Sequence, residues 1–90
     1  MVRAHVFIQG KVQGVFYRTW VKNTAHELGL TGFVKNLEDG KVEALFDGEK
    51  DKVENMIAKC KEGSRGAEVT HVDVIWEDSK GDYSDFVVHN

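Results

Sequence analysis

The chain has 90 residues, 41% of them hydrophobic and 30% charged, which is typical of a folded protein with one domain over residues 1–90. A net charge of −3 argues against a nucleic-acid partner, which needs a basic surface, but it is compatible with one small anion in a locally positive pocket. No apolar run approaches the roughly 20 residues that cross a bilayer, and the first residues resemble no secretory leader, so we expect a cytoplasmic protein without a membrane partner.

The first elements are a strand and a helix. Val2 to Gln9 alternate between apolar and other residues, which predicts a β-strand with one apolar face. Thr19 to Leu28 read as an amphipathic helix that ends at Gly29, with Trp20, Val21, Ala25 and Leu28 on one face.

The remaining elements are four strands and a second helix. Strands are predicted over Thr31–Asn36 and Lys41–Asp47, and Asp39-Gly40 between them is a strong hairpin signal. The helix opens at Gly48 and Glu49 and closes at Lys61, with an apolar stripe at Val53, Met56, Ile57 and Cys60. After a loop over residues 63–66, strands follow over His71–Trp76 and Asp85–His89, separated by a turn at Ser79–Asp82. We expect Trp20 and Trp76 to lie in or near the core.

This βαββαβ order with an extra strand predicts an α+β fold of the ferredoxin-like kind. Two helices would cover one face of an antiparallel sheet, and a short C-terminal strand would extend it. The first helix is a crossover, so strands one and two should be parallel, with strand three between them. Their ends then lie on one edge, roughly 9–10 Å apart, so Asn36 should face the loop that follows the first strand.

That loop has the features of an anion-binding site. Gly10 and Gly14 bracket it and allow close approach of the backbone to a ligand. The helix start that follows offers unpaired N–H groups and the positive end of the helix dipole. Arg18 adds a planar fork that matches phosphate oxygens.

Metal and thiol chemistry are not expected. The single cysteine, Cys60, can form no internal disulfide, and its place on an apolar helical stripe indicates a packed, inert thiol. The four histidines show no metal-ligand spacing.

Two segments resemble the signatures of the acylphosphatase family. Ile8–Arg18 (IQGKVQGVFYR) resembles the first, and Gly32–Val42 (GFVKNLEDGKV), followed by Gly48, resembles the second. At position 17 the family usually has Phe or Met, so the extra hydroxyl of Tyr17 needs a partner or solvent.

The resemblance implies hydrolysis of acyl phosphates to a carboxylate and inorganic phosphate, without metal or cofactor. Separately, we expect a monomer. The resemblance assigns catalysis to Arg18 and Asn36, the latter orienting the attacking water. The substrate-binding residues would be Gln13, Gly14, Val15, Phe16, Tyr17 and Arg18. No pocket for the acyl portion is apparent, so weak selectivity for that portion is expected.

Simpler interpretations and two other functions remain open. The glycines could shape a turn only, Arg18 could join a surface ion pair, and Asn36 could merely begin the hairpin. An RNA-binding protein shares this element order and would need exposed aromatic residues on the open sheet face, for which Phe7 is one candidate. A phosphate sensor without catalysis would need the same anion-binding loop.

Overall fold

The computed structural model describes residues 1–89, and Asn90, the last residue of the expected domain, lies outside the described part. The elements follow the predicted order. The strands are β1 (Val2–Lys11), β2 (Thr31–Asn36), β3 (Val42–Gly48), β4 (Glu68–Asp78) and β5 (Phe86–His89), and the helices are α1 (Tyr17–Glu27) and α2 (Lys50–Glu62).

The five strands form one sheet in the order β4-β1-β3-β2-β5. β3 pairs antiparallel with both β1 and β2, so β1 and β2 run parallel with β3 between them, which confirms the predicted crossover. β4 is antiparallel to β1, whereas β5 runs parallel to β2. The predicted antiparallel four-stranded sheet is therefore extended by the C-terminal strand into a mixed sheet.

The core lies between the sheet and the two helices. The alternation predicted for β1 is confirmed, because Ala4, Val6 and Ile8 are fully buried. Residues of both helices belong to the same buried cluster, namely Tyr17, Val21, Ala25, Val53, Met56, Ile57 and Cys60. Burying each of the larger aliphatic side chains contributes about 1.5–3 kcal/mol.

Two details near the helices and the sheet edge differ from expectation. α1 begins at Tyr17 rather than Thr19, so the Tyr17 side chain joins the core and is only 1% exposed. The prediction that Trp76 lies in or near the core is wrong, because it is 46% exposed. Trp76 lies on β4, an edge strand with a neighbouring strand on one side only, which leaves much of the indole uncovered.

The turn at Ser79–Asp82 is anchored rather than free. On the sheet face opposite the helices, Arg3 and Asp47 form a buried ion pair, with Nε and Nη2 donating to Oδ2 at 3.0 and 2.9 Å. The Ser79 hydroxyl donates to the second oxygen of Asp47, and the Asp82 carboxylate pairs with Arg3. This network holds the segment that leads into β5 against the sheet. It thereby helps to place β5 beside β2.

Candidate active site

The loop between β1 and α1 holds two residues in the left-handed region of backbone conformation. Gly14 has φ 73°, which glycine adopts freely, and Phe16 has φ 59°. A non-glycine residue in this region costs on the order of 1–3 kcal/mol, so the surrounding structure must hold Phe16 in place. The loop thus reaches α1 through two residues in the left-handed conformation.

The start of α1 presents free backbone donors. The amide of Trp20 donates to the carbonyl oxygen of Phe16 at 3.1 Å, which is the first hydrogen bond of the helix. The amides of Tyr17, Arg18 and Thr19 precede that bond and therefore have no partner within the helix. The first turn carries no acidic side chain, so the positive end of the helix dipole is available to an anion.

Arg18 is held at this site by the C-terminal strand. Its Nη1 donates to the carbonyl oxygen of His89 at 2.8 Å. Within residues 1–89 no carboxylate forms an ion pair with it, which argues against the simpler interpretation of Arg18 as a surface ion-pair residue. A guanidinium has five N–H donors, so the bond to His89 leaves others for an anion.

Asn36 ends β2, where it pairs with Val42 of β3. Its Oδ1 is buried and accepts no hydrogen bond from any residue in the described part of the chain. An unpaired buried acceptor costs about 1–3 kcal/mol, and such atoms are few in folded proteins. Among the described residues the Ser64 hydroxyl is the other buried side-chain atom without a partner, and it does not line the cavity described below. The terminal torsion of Asn is soft, so a turn of the carboxamide can offer this oxygen to a donor in the adjacent cavity.

A cavity of about 230 Å³ brings these features together. The predicted site residues Gly14, Phe16, Tyr17, Arg18 and Asn36 all line it, so the expectation that Asn36 faces the loop is confirmed. The other lining residues are Val12, Thr19 and Val88.

Gln13 and Val15, two of the predicted substrate-binding residues, are not among the lining residues. The side-chain amide of Gln13 instead donates to the carbonyl oxygens of Leu37 and Lys41, each at 2.9 Å. Gln13 thereby ties the loop to the β2–β3 hairpin immediately after Asn36. Val15 packs half-buried against the core.

Tyr17 contributes its backbone to the site while its side chain faces the interior. The phenol is buried and donates to the carbonyl oxygen of Cys60 at 3.1 Å, which supplies the partner that the hydroxyl needed. Burial raises the pKa of Tyr17 well above its usual range, so the phenol stays neutral.

Sequence reasoning missed the contributions of Thr19 and Val88 to the cavity. Thr19 lies in the first turn of α1, and its proximity to the cavity follows from the start of that helix at Tyr17. Val88 reaches the cavity because β5 pairs in parallel with β2, opposite Val34. No local sequence pattern specifies that long-range pairing.

Residues 1–89 contain neither a metal-binding cluster nor a membrane-spanning helix. Among residues 1–89, no three His, Cys, Asp or Glu side chains are grouped so that they could hold a metal ion. None of the helices in that range has the length and apolar character required to span a membrane.

Comparison with known proteins agrees with the motifs. The acylphosphatase family model matches residues 4–88. An acylphosphatase of Roseiflexus sp. (strain RS-1) is 49% identical over 88 residues, which cover 98% of this chain and 95% of the relative. The crystal structure of acylphosphatase from Bacillus subtilis superposes with a TM-score of 0.96 at 31% identity, covering 100% of both chains.

A second solved structure, an acylphosphatase from Coxiella burnetii, has a TM-score of 0.88 at 45% identity, and the match covers 98% of this chain and 92% of that one. These matches extend over nearly the whole chain and include both signature segments. The chain belongs to the acylphosphatase family.

Proposed function

We propose that this chain is a metal-independent acylphosphatase that hydrolyses the carboxyl–phosphate bond of acyl phosphates to a carboxylate and inorganic phosphate. The observation that carries the proposal is the cavity itself, which is lined by Arg18, by the N-terminus of α1 and by Asn36. A doubly charged phosphoryl group fits a site that offers a guanidinium and unpaired amides.

The phosphoryl group is bound by the backbone amides of the loop residues that line the cavity and by the Arg18 guanidinium. The loop residues are Gly14, Phe16, Tyr17 and Arg18. In phosphoryl transfer, negative charge spreads over the three equatorial oxygens of the transition state. Donors that are already fixed at those positions stabilise this charge without reorganising. The hydrogen bonds from Gln13 to the β2–β3 hairpin and from Arg18 to the carbonyl oxygen of His89 support such preorganisation.

Asn36 orients the attacking water. Its Oδ1 accepts a hydrogen bond from the water, which then attacks phosphorus in line with the leaving carboxylate oxygen. The water's oxygen bonds to phosphorus, and the bond from phosphorus to the acyl oxygen breaks with its electron pair. A carboxylate is stable near neutral pH, so it leaves without a proton.

The proton of the water passes to a phosphate oxygen of the substrate. None of the described residues that line the cavity carries a carboxylate or an imidazole, so the substrate supplies the nearest acceptor. The protein's part is then binding and orientation rather than general base catalysis.

The decisive experiment measures benzoyl phosphate hydrolysis in the presence of EDTA, with Arg18→Gln and Arg65→Gln compared with wild type. Arg65 is an exposed arginine in the loop after α2 and serves as the matched control. We expect wild-type turnover with EDTA, near-complete loss in Arg18→Gln and full activity in Arg65→Gln. A wild type that binds phosphate but hydrolyses no acyl phosphate would instead be a phosphate sensor.

We also propose that residues 1–90 act as one domain and as a cytoplasmic monomer. Every group to which we assign a role in the reaction lies in one chain, so the proposed chemistry requires no second copy. The one cysteine is buried, which suits a protein that needs no disulfide. Light scattering that shows a dimer at assay concentrations would contradict the monomeric state.

A further inference from the structure

Phe16 combines two properties that seldom occur together. The residue is 86% exposed although its side chain is a large hydrophobic group, and it nevertheless lines the cavity that contains Arg18 and Asn36. A residue that lines a cavity while remaining almost fully exposed belongs to the rim. Phe16 therefore stands at the mouth of the site, and Val12, which is 1% exposed, belongs to its floor.

The backbone conformation of Phe16 sets the direction in which its side chain leaves the loop. Phe16 precedes the first residue of α1 and has φ 59° and ψ 23°, a conformation that costs energy for a residue with a Cβ. Glycine would adopt this conformation without strain. The backbone of Phe16 is thus strained although the residue is almost fully exposed.

The orientation of a bound acyl phosphate follows from where the donors lie. Its phosphoryl end meets the amides of α1 and the guanidinium of Arg18, because these are the groups that attract an anion. The acyl end carries no charge and must project from the phosphoryl site towards the rim. Among the apolar residues that line the cavity, Val12 and Tyr17 are almost fully buried, so Phe16 and the half-buried Val88 are the ones that the acyl end can contact.

We propose that Phe16, together with Val88, forms a subsite that selects acyl phosphates with an apolar, and above all an aromatic, acyl group. The inference rests on the proposed function and replaces the sequence-based expectation of weak acyl selectivity. An aromatic acyl group stacks on the Phe16 ring and is shielded from water, whereas an acetyl group is too small to cover it.

The test compares kcat/KM for benzoyl phosphate with kcat/KM for acetyl phosphate and uses their ratio. The ratio cancels any change in phosphoryl binding, because both substrates share that end. In Phe16→Gly, which removes the ring and relieves the backbone, we expect the ratio to fall about tenfold, as for the loss of a modest apolar contact. Phe16→Leu keeps an apolar side chain and should retain an intermediate ratio.

Two further variants complete the design. Val88→Thr is nearly isosteric but polar, and it should lower the ratio in the same direction. Val87→Ala alters an exposed apolar residue of the same strand that does not line the cavity, and it should leave the ratio at the wild-type value.

The possible results are distinct. A wild-type ratio in both Phe16→Gly and Val88→Thr would overturn the subsite while leaving the acylphosphatase activity in place. A wild type that hydrolyses neither substrate would overturn the proposed function, and the subsite with it.

Discussion

The hydroxyl of Tyr17 donates a hydrogen bond of 3.1 Å to the carbonyl oxygen of Cys60, and this bond joins the first turn of α1 to the last turn of α2. Cys60 is one of the last four residues of its helix, whose carbonyl groups lack a partner within the helix. Tyr17 also immediately precedes Arg18. The second helix therefore supports the end of α1 that presents the amides of the site.

Replacing Tyr17 by phenylalanine should lower the free energy of unfolding by about 1 kcal/mol. The substitution keeps the buried ring but leaves the carbonyl oxygen of Cys60 without its donor. Urea denaturation of the variant measures the loss. Tyr83→Phe is the matched control, because Tyr83 is the other tyrosine and its ring can still face Arg3. Equal stability of wild type and Tyr17→Phe would show that the bond contributes nothing.

Because Cys60 is buried, we expect the free energy of unfolding to fall as the solution becomes alkaline. Burial raises the pKa of this thiol from 9.0 to about 12. Between those values the unfolded chain has released the proton and the folded chain still holds it, so the free energy of unfolding declines as pH rises. This contribution is complete below pH 9 and is lost as pH approaches 12.

The measurement is urea denaturation at several pH values between 9 and 12, with Cys60→Ala beside the wild type. The variant lacks the titrating thiol, so its free energy of unfolding should decline less steeply with pH. The two slopes should differ by up to about 1.4 kcal/mol per pH unit. Slopes are compared rather than absolute stabilities, because removing the sulfur also changes packing. Parallel slopes for the two proteins would contradict the role assigned to this thiol.

Local sequence patterns were sufficient to predict the secondary-structure elements and the proximity of Arg18 to Asn36. The alternation of β1, the Asp39-Gly40 hairpin and the crossover through α1 together place the ends of β1 and β2 on one edge of the sheet. That inference needs no knowledge of side-chain contacts, and the cavity confirms it. The exposed position of Trp76 could not be inferred in this way, since alternation alone does not distinguish an edge strand from a central one.

Such patterns do not predict contacts between residues that are far apart in sequence. Gln13 was predicted to bind substrate, but its side chain contacts the hairpin, 24 and 28 residues later. The Arg3–Asp47 pair spans 44 residues, and charged residues on a strand usually face solvent. In each case the partner is decided by strand register and by the path of a connecting segment.

The tie made by Gln13 should matter for catalysis. Gln13→Ala removes both hydrogen bonds that connect the loop to the hairpin, so Asn36 is less firmly placed relative to the bound phosphoryl group. Loss of positioning of this kind lowers rates by up to about 100-fold, and we expect kcat to fall by about 10- to 100-fold.

The matched control is Gln9→Ala, since Gln9 is the other glutamine of the chain and does not line the cavity. Inhibition by inorganic phosphate reports on anion binding by the loop amides and Arg18. In Gln13→Ala this inhibition should weaken much less than kcat falls. An effect on phosphate inhibition as large as that on kcat would mean that Gln13 acts by shaping the anion site rather than by placing Asn36.

Asn36 provides the sharpest test of how water is oriented. Asn36→Ala removes the only carboxamide among the described residues that line the cavity, while Arg18 and the amides of α1 remain. Removing one positioned polar group of this kind costs about 10²–10³-fold in kcat, and we expect a loss of that size with the phosphate inhibition constant nearly unchanged. Asn23→Ala, at an exposed asparagine of α1, should behave as wild type. If Asn36→Ala instead abolished phosphate inhibition, Asn36 would bind the phosphoryl group itself, and the attacking water would be directed by other groups.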